Sequence, residues 1–143
     1  MKVLLYGINF APEPIGVGRY TGEMAQKLSA AGHEVRVITA LPYYPEWKVS
    51  SDYSKWQYAT ETMGDIKVYR APLWVPKNPR GRQRVLHLLS FAVTTLPLLV
   101  RQWFWRPHVV WMAAPSLVCA PAALVTAKVC GAKSWIHVQD FEI

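Results

Sequence analysis

A chain of 143 residues with 52% apolar and 17% charged side chains suits one domain with a sizeable core and is too apolar for a disordered segment. Its net charge of +7 is unevenly spread: between Ile66 and Gln139 there is no Asp or Glu, against Lys67, Arg70, Lys77, Arg80, Arg82, Arg84, Arg101, Arg106, Lys128 and Lys133. The two cysteines, Cys119 and Cys130, show no zinc-ligand spacing, and the opening Val3–Gly7 run is too short an apolar stretch for a secretory leader, so the simple expectation is reduced packing thiols in the cytosol.

Met1–Asn9 reads as a buried strand. Phe10–Gly18 is expected to be a loop, and Arg19 opens a helix whose buried face carries Tyr20, Met24, Leu28 and Ala31 before Gly32 closes it. A strand, a glycine-bearing loop and a helix N-terminus together make an anion site, because free backbone N–H groups and the helix dipole both favour negative charge there. Gly16 and Gly18 would let the backbone approach a phosphate, and Arg19 would pair with it; the plain alternative is a surface turn. The third glycine, Gly22, falls one position too late for the dinucleotide fingerprint. The second strand, Glu34–Ala40, ends without a ribose-binding carboxylate, and no Walker lysine follows the glycines.

Leu41–Met63 reads as an irregular aromatic segment holding Tyr43, Tyr44, Trp47, Tyr53, Trp56 and Tyr58. Strands are expected at Ile66–Ala71, Val109–Met112 and Ser134–Val138, and helices at Val85–Arg101 and Leu117–Val129. This alternation implies a doubly wound, Rossmann-like parallel α/β sheet. The run Val85–Val100 is as apolar as a membrane span but shorter than the ~20 residues a span needs. Arg80, Arg82, Arg84, Arg101 and Arg106 flank it, and Trp103, Phe104 and Trp105 follow it, so it reads as a crossover helix whose basic and aromatic ends touch a membrane surface. A fully buried helix is the alternative.

Asn9-Phe10-Ala11-Pro12-Glu13-Pro14-Ile15-Gly16-Val17-Gly18-Arg19-Tyr20, Gly32-His33-Glu34-Val35, Pro42-Tyr43-Tyr44-Pro45-Glu46-Trp47 and His137-Val138-Gln139-Asp140-Phe141-Glu142 together resemble family 4 glycosyltransferases of the two-domain GT-B fold. Within that family the motifs resemble a subgroup of exopolysaccharide (colanic acid) biosynthesis, with fucosyl transfer suggested by the subgroup. The resemblance implies sugar transfer from a nucleotide-sugar donor to a lipid-linked saccharide acceptor, with no metal and no other cofactor. It places Gly16, Gly18 and Arg19 near the donor diphosphate and His137 near the transferred sugar. Asp140 is the candidate base, and Asn9, Glu13 and Tyr44 are the candidate acceptor contacts. The plain readings are a core histidine at 137 and a polar loop residue at 140. Apart from the Gly32–Val35 turn, which opens the second strand, these motifs fall after strand ends, the edge where open parallel sheets bind ligands.

The resemblance also implies that residues 1–143 are an incomplete N-terminal, acceptor-side domain lacking the donor-binding C-terminal domain, and are inactive alone. The expected partners are the nucleotide sugar, the lipid-linked acceptor and an anionic membrane surface, with no nucleic acid. The expected location is peripheral, at the inner face of the cytoplasmic membrane. The competing reading is a non-catalytic module that binds phosphorylated ligands or nucleic acid.

Overall fold

The computed structural model describes residues 1–113 and 117–138. Six strands form one sheet: β1 (Lys2–Tyr6), β2 (Glu34–Ala40), β3 (Ala59–Met63), β4 (Ile66–Ala71), β5 (Val109–Ala113) and β6 (Lys133–His137). Their order is β3-β4-β2-β1-β5-β6, and every neighbouring pair is parallel except β3 with β4. The chain works outward from β1 to one side, then crosses back to fill the other. The topological switch therefore lies between β1 and β5, where Gly7 packs directly on Ala113.

Helices cover both faces, as doubly wound folds require. Helix α1 (Gly16–Ala30) lies over Val3, Leu5, Val35, Val37 and Val68 on one face. Helices α2 (Arg82–Trp105) and α3 (Ala120–Cys130, preceded by a 3-10 turn at Leu117–Cys119) cover Leu4, Tyr6, Ile38 and Met112 on the other. Strands β1 and β2 read as near-continuous apolar runs because both their faces are buried. Cys119 and Cys130 are buried and form no disulfide.

The structure departs from the sequence-based reading in five places. Tyr20 and Met24, expected on the buried face of the first helix, are exposed, and Thr21, Gly22 and Ala25 are buried instead. Helix α1 begins at Gly16, not Arg19, so Gly18 is helical and buried. The aromatic segment ends in a strand, β3, because Gly64 (φ +62°) turns the chain back onto β4. Helix α2 runs three residues earlier and four later than expected, so Trp103, Phe104 and Trp105 belong to it. Arg70, counted above with the basic surface, is 1% exposed: its guanidinium pairs with Glu61 and donates to the Ala40 and Ala11 carbonyls.

Helix α2 is bound to the sheet by polar contacts as well as apolar ones. Tyr6 and Thr95 share a 2.7 Å hydrogen bond, Arg36 donates to Gln102 Oε1 at 3.1 Å, and His87 Nδ1 lies 2.7 Å from the Trp74 carbonyl. Burial raises the Tyr6 phenol well above its usual range, so it stays protonated.

Candidate functional site

At the strand carboxyl ends, the β1–α1 loop and the β2–β3 loop meet at Glu13. This residue is 5% exposed. Its Oε1 accepts from the Tyr43 and Tyr44 backbone N–H groups at 3.2 and 3.1 Å, and its Oε2 accepts from Asn9 Nδ2 at 2.9 Å. Burial raises the Glu13 pKa above its ordinary value; the bonds from Asn9, Tyr44 and Tyr43 and the charge of Arg70 oppose that shift. Arg70 reinforces the same junction, since it reaches Ala11 on one loop and the end of β2 on the other side.

The β2–β3 loop is ordered by its own aromatics. Tyr43, Tyr44, Trp47 and His87 pack mostly edge-on with centroids 4.8–6.5 Å apart. Lys48 and Ser50 donate backbone bonds back to Tyr43 and Pro42. Between the two loops lies an open cavity of about 430 Å³, lined by Pro12, Glu13 and Pro14 on one side and by Tyr44, Glu46, Lys48, Ser50 and Ser51 on the other. Such a mixed lining, one aromatic face with several hydroxyl and charged groups, is chemically suited to a polar, ring-shaped ligand.

Beside this cavity the N-terminus of α1 is open. Its N-cap is Ile15, which supplies no capping hydrogen bond, and its first turn holds no acidic residue. A helix N-terminus without a side-chain cap favours negative charge through its dipole. Gly16 takes a left-handed backbone (φ +66°) and lies against the Tyr44 ring.

The sequence-predicted residues are thus placed as follows. Asn9, Glu13 and Tyr44 are brought together, with Glu13 and Tyr44 on the cavity wall and Asn9 buried behind them. Gly18 does not flank open space: an added Cβ would meet Glu13 Oε2 at 2.8 Å and the Phe10 carbonyl at 3.2 Å, so this glycine lets α1 pack on the Glu13 junction. Arg19 is exposed and its Nε pairs with Glu23 at 3.1 Å, one turn along the helix. His137 ends β6, is exposed, and stacks on Trp111 at 5.5 Å. It stands two strands from β1, with β5 between them. Asp140 lies outside the described residues.

Two contributors were missed from sequence. Arg70 is one, although its place at the end of an otherwise apolar strand, opposite Glu61, was a readable signal. Tyr43 is the other: its hydroxyl lies 3.4 Å from Asn9, but nothing in the sequence separates it from Tyr44.

A mostly parallel, doubly wound α/β sheet is the Rossmann-like class of folds, and it is the fold of this chain. Residues 16–142 match the glycosyl transferase 4-like domain, and the chain belongs to that family. It is 50% identical over all 143 residues to a protein of Escherichia coli (strain K12) named as the colanic acid biosynthesis glycosyl transferase WcaI. The chain spans 35% of that protein's length. Among solved structures, it resembles the catalytic domain of starch synthase IV from Arabidopsis thaliana, bound to ADP and acarbose, with a TM-score of 0.65 and 15% identity over 96% of this chain and 33% of that one. A second likeness is the C-terminal domain of the PF1911 hydrogenase from Pyrococcus furiosus, with a TM-score of 0.53 and 16% identity over 94% and 89% of the two chains. At these identities the likenesses speak to fold alone.

Proposed function

We propose that this chain is the acceptor-side portion of a glycosyltransferase. It would move a sugar from a nucleotide-sugar donor to a lipid-linked saccharide in exopolysaccharide assembly of the colanic acid type, at the inner face of the cytoplasmic membrane. The observation that carries the reading is the Glu13 junction, which sets a saccharide-sized cavity beside an uncapped helix N-terminus. In the transfer, an acceptor hydroxyl forms a bond to the anomeric carbon as the bond to the nucleotide diphosphate breaks. Negative charge builds on the departing diphosphate, which the exposed Gly16 backbone at the uncapped start of α1 and the α1 dipole are suited to meet. Tyr44 offers the acceptor a ring face, and Glu46, Lys48, Ser50 and Ser51 offer partners for its hydroxyls. Glu13, whose oxygens are taken by protein N–H groups, holds both walls at their spacing. In this reading the proton of the acceptor hydroxyl passes to Asp140, His137 borders the transferred sugar, and the remaining donor contacts come from outside residues 1–143.

Amide NMR of the chain tests the reading. Added pyrophosphate should shift the Gly16, Val17 and Gly18 signals, and an oligosaccharide should shift those of Tyr44, Ser50 and Ser51. Shifts confined to other surfaces at millimolar ligand would overturn it. Sustained turnover of nucleotide sugar by the 143-residue chain alone would overturn the acceptor-side assignment.

A further inference from the structure

We propose that the outer face of α2 and α3 is a docking surface for an anionic lipid bilayer, lying in the membrane plane with a lipid hydrocarbon chain in the groove between the helices. This deepens the membrane part of the reading above and rests on it, while sugar transfer does not enter its test.

The argument begins with the inverted polarity of α2. Its buried stripe includes three polar side chains, His87, Thr95 and Gln102. Its outward stripe is Arg82, Leu86, Leu89, Val93, Leu96, Val100 and Phe104, spaced by three or four residues throughout and apolar after the arginine. Leu86, Val93 and Phe104 are 55, 62 and 88% exposed. A helix facing water normally shows the opposite arrangement, and a continuous apolar face of this kind marks an interaction surface. The stripe from Leu86 to Phe104 is roughly 27 Å long at the α-helical rise.

Helix α3 continues the surface. Leu124, Val125 and Val129 are exposed beside it, and a groove of about 540 Å³ runs between the two helices, with Leu89, Val93, Leu96, Val100, Val118 and Val125 among its walls. The polar groups bordering this groove, the Trp103 indole N–H and the Thr126 hydroxyl, bond to each other at 3.2 Å. The groove is left almost wholly apolar.

Charge selects the occupant. Neither α2 nor α3 contains an acidic residue, and exposed Arg80, Arg82, Arg101 and Arg106 stand at the two ends of α2. A second copy docked by a two-fold axis would set cations against cations with no carboxylate to answer them. An anionic leaflet answers them at both ends, while its acyl layer accepts the stripe. The helix lies flat because its inner face is bonded to Tyr6, Arg36 and the Trp74 carbonyl, so it cannot leave the sheet to span.

Co-sedimentation of the full chain with vesicles tests this, using phosphatidylcholine mixed with phosphatidylglycerol and phosphatidylcholine alone, across a salt series. Val93→Glu and Leu89→Glu, both at exposed positions, should each weaken partitioning onto anionic vesicles by at least about tenfold with the circular dichroism spectrum unchanged. Arg82→Glu should weaken it mainly at low salt, and Trp56→Glu, outside this face, should leave it unaltered. Trp103 fluorescence should be quenched by acyl-chain-brominated lipid, with the quenching lost in Trp103→Phe. No binding at low salt would overturn the proposal, as would binding indifferent to Val93→Glu. So would self-association abolished by Val93→Glu in a chain that ignores vesicles, because a second copy would then be the occupant. Pyrophosphate shifts at Gly16–Gly18 should persist in Val93→Glu, so failure of docking and failure of the sugar-transfer reading are separable.

Discussion

Gly18 and Glu13 compete for one space: a methyl carbon at position 18 would lie 2.8 Å from Glu13 Oε2 and 2.9 Å from Glu13 Cβ. In a free helix, replacing glycine by alanine gains about 1 kcal/mol. Here the sign reverses. Gly18→Ala must push the carboxylate away from Tyr43 and Tyr44, and overpacking of this kind costs about 1–3 kcal/mol. Thermal unfolding should show a melting temperature lower by several degrees. An unchanged or raised value would mean that the junction yields freely.

Glu13 gives a pH signature. Burial raises its pKa in the folded chain above the ordinary carboxylate value of 4.5. The unfolded chain therefore loses this proton first as pH rises. Between the two values the folded state holds more protons, so this group's contribution to stability falls with rising pH and levels off above the folded pKa. Glu13→Gln removes that slope. Its amide oxygen still accepts from Tyr43 and Tyr44, and Asn9 can turn its carboxamide over to accept from the new NH₂. Denaturant melts across the acid range should show the slope in the parent chain and its loss in the variant. Glu13→Ala should lose about 1–3 kcal/mol near neutrality, because buried donors are left without an acceptor.

Arg70 predicts an asymmetric pair. Glu61→Ala leaves a guanidinium that is 1% exposed without its carboxylate, at a cost of about 3–5 kcal/mol. Arg70→Met with Glu61→Gln should recover much of that loss, because no charge then remains to be desolvated. Urea titration of the single and double variants measures the coupling, and additive losses would refute it.

Gly16→Ala addresses the anion site. A left-handed backbone at φ +66° costs a non-glycine residue about 1–2 kcal/mol, so the first turn of α1 should relax away from its present shape. Pyrophosphate affinity should fall roughly tenfold, the equivalent of one charge-assisted hydrogen bond of about 1.5 kcal/mol. Calorimetric titration reads this directly.

What the sequence made legible was whatever rests on hydrophobic period and strand-end position. Val3–Tyr6 and Val109–Met112 could be read as strands because burial on both faces leaves them almost wholly apolar, and Val35–Ala40 because Val35, Val37, Ile38 and Ala40 outweigh Arg36 and Thr39. The grouping of Asn9, Glu13 and Tyr44 was legible because their loops leave adjacent strands at the same edge. The purpose of Gly18 was not, since the same glycine that admits a phosphate also admits a carboxylate, and only the packing of α1 on Glu13 distinguishes them. Strand β3 escaped notice because its outer edge faces water: Ala-Thr-Glu-Thr-Met shows no apolar alternation, and its pairing with β4 is set by the turn at Gly64. The burial of Arg70 was hidden because the residue that stabilises it, Glu61, sits in that same unread strand.

The bonds from Thr95 and Gln102 into the sheet, and from His87 to the β4–α2 connection, have a further consequence. They are directional, so they set the roll of α2 about its own axis, which apolar contacts alone would leave loose. Directional bonds also strengthen where the surrounding dielectric falls. Moving the outer face of α2 from water into hydrocarbon would therefore hold the helix more firmly to the sheet. The same side chains that look out of place in a core keep this helix seated on the sheet whichever solvent lies on its far side.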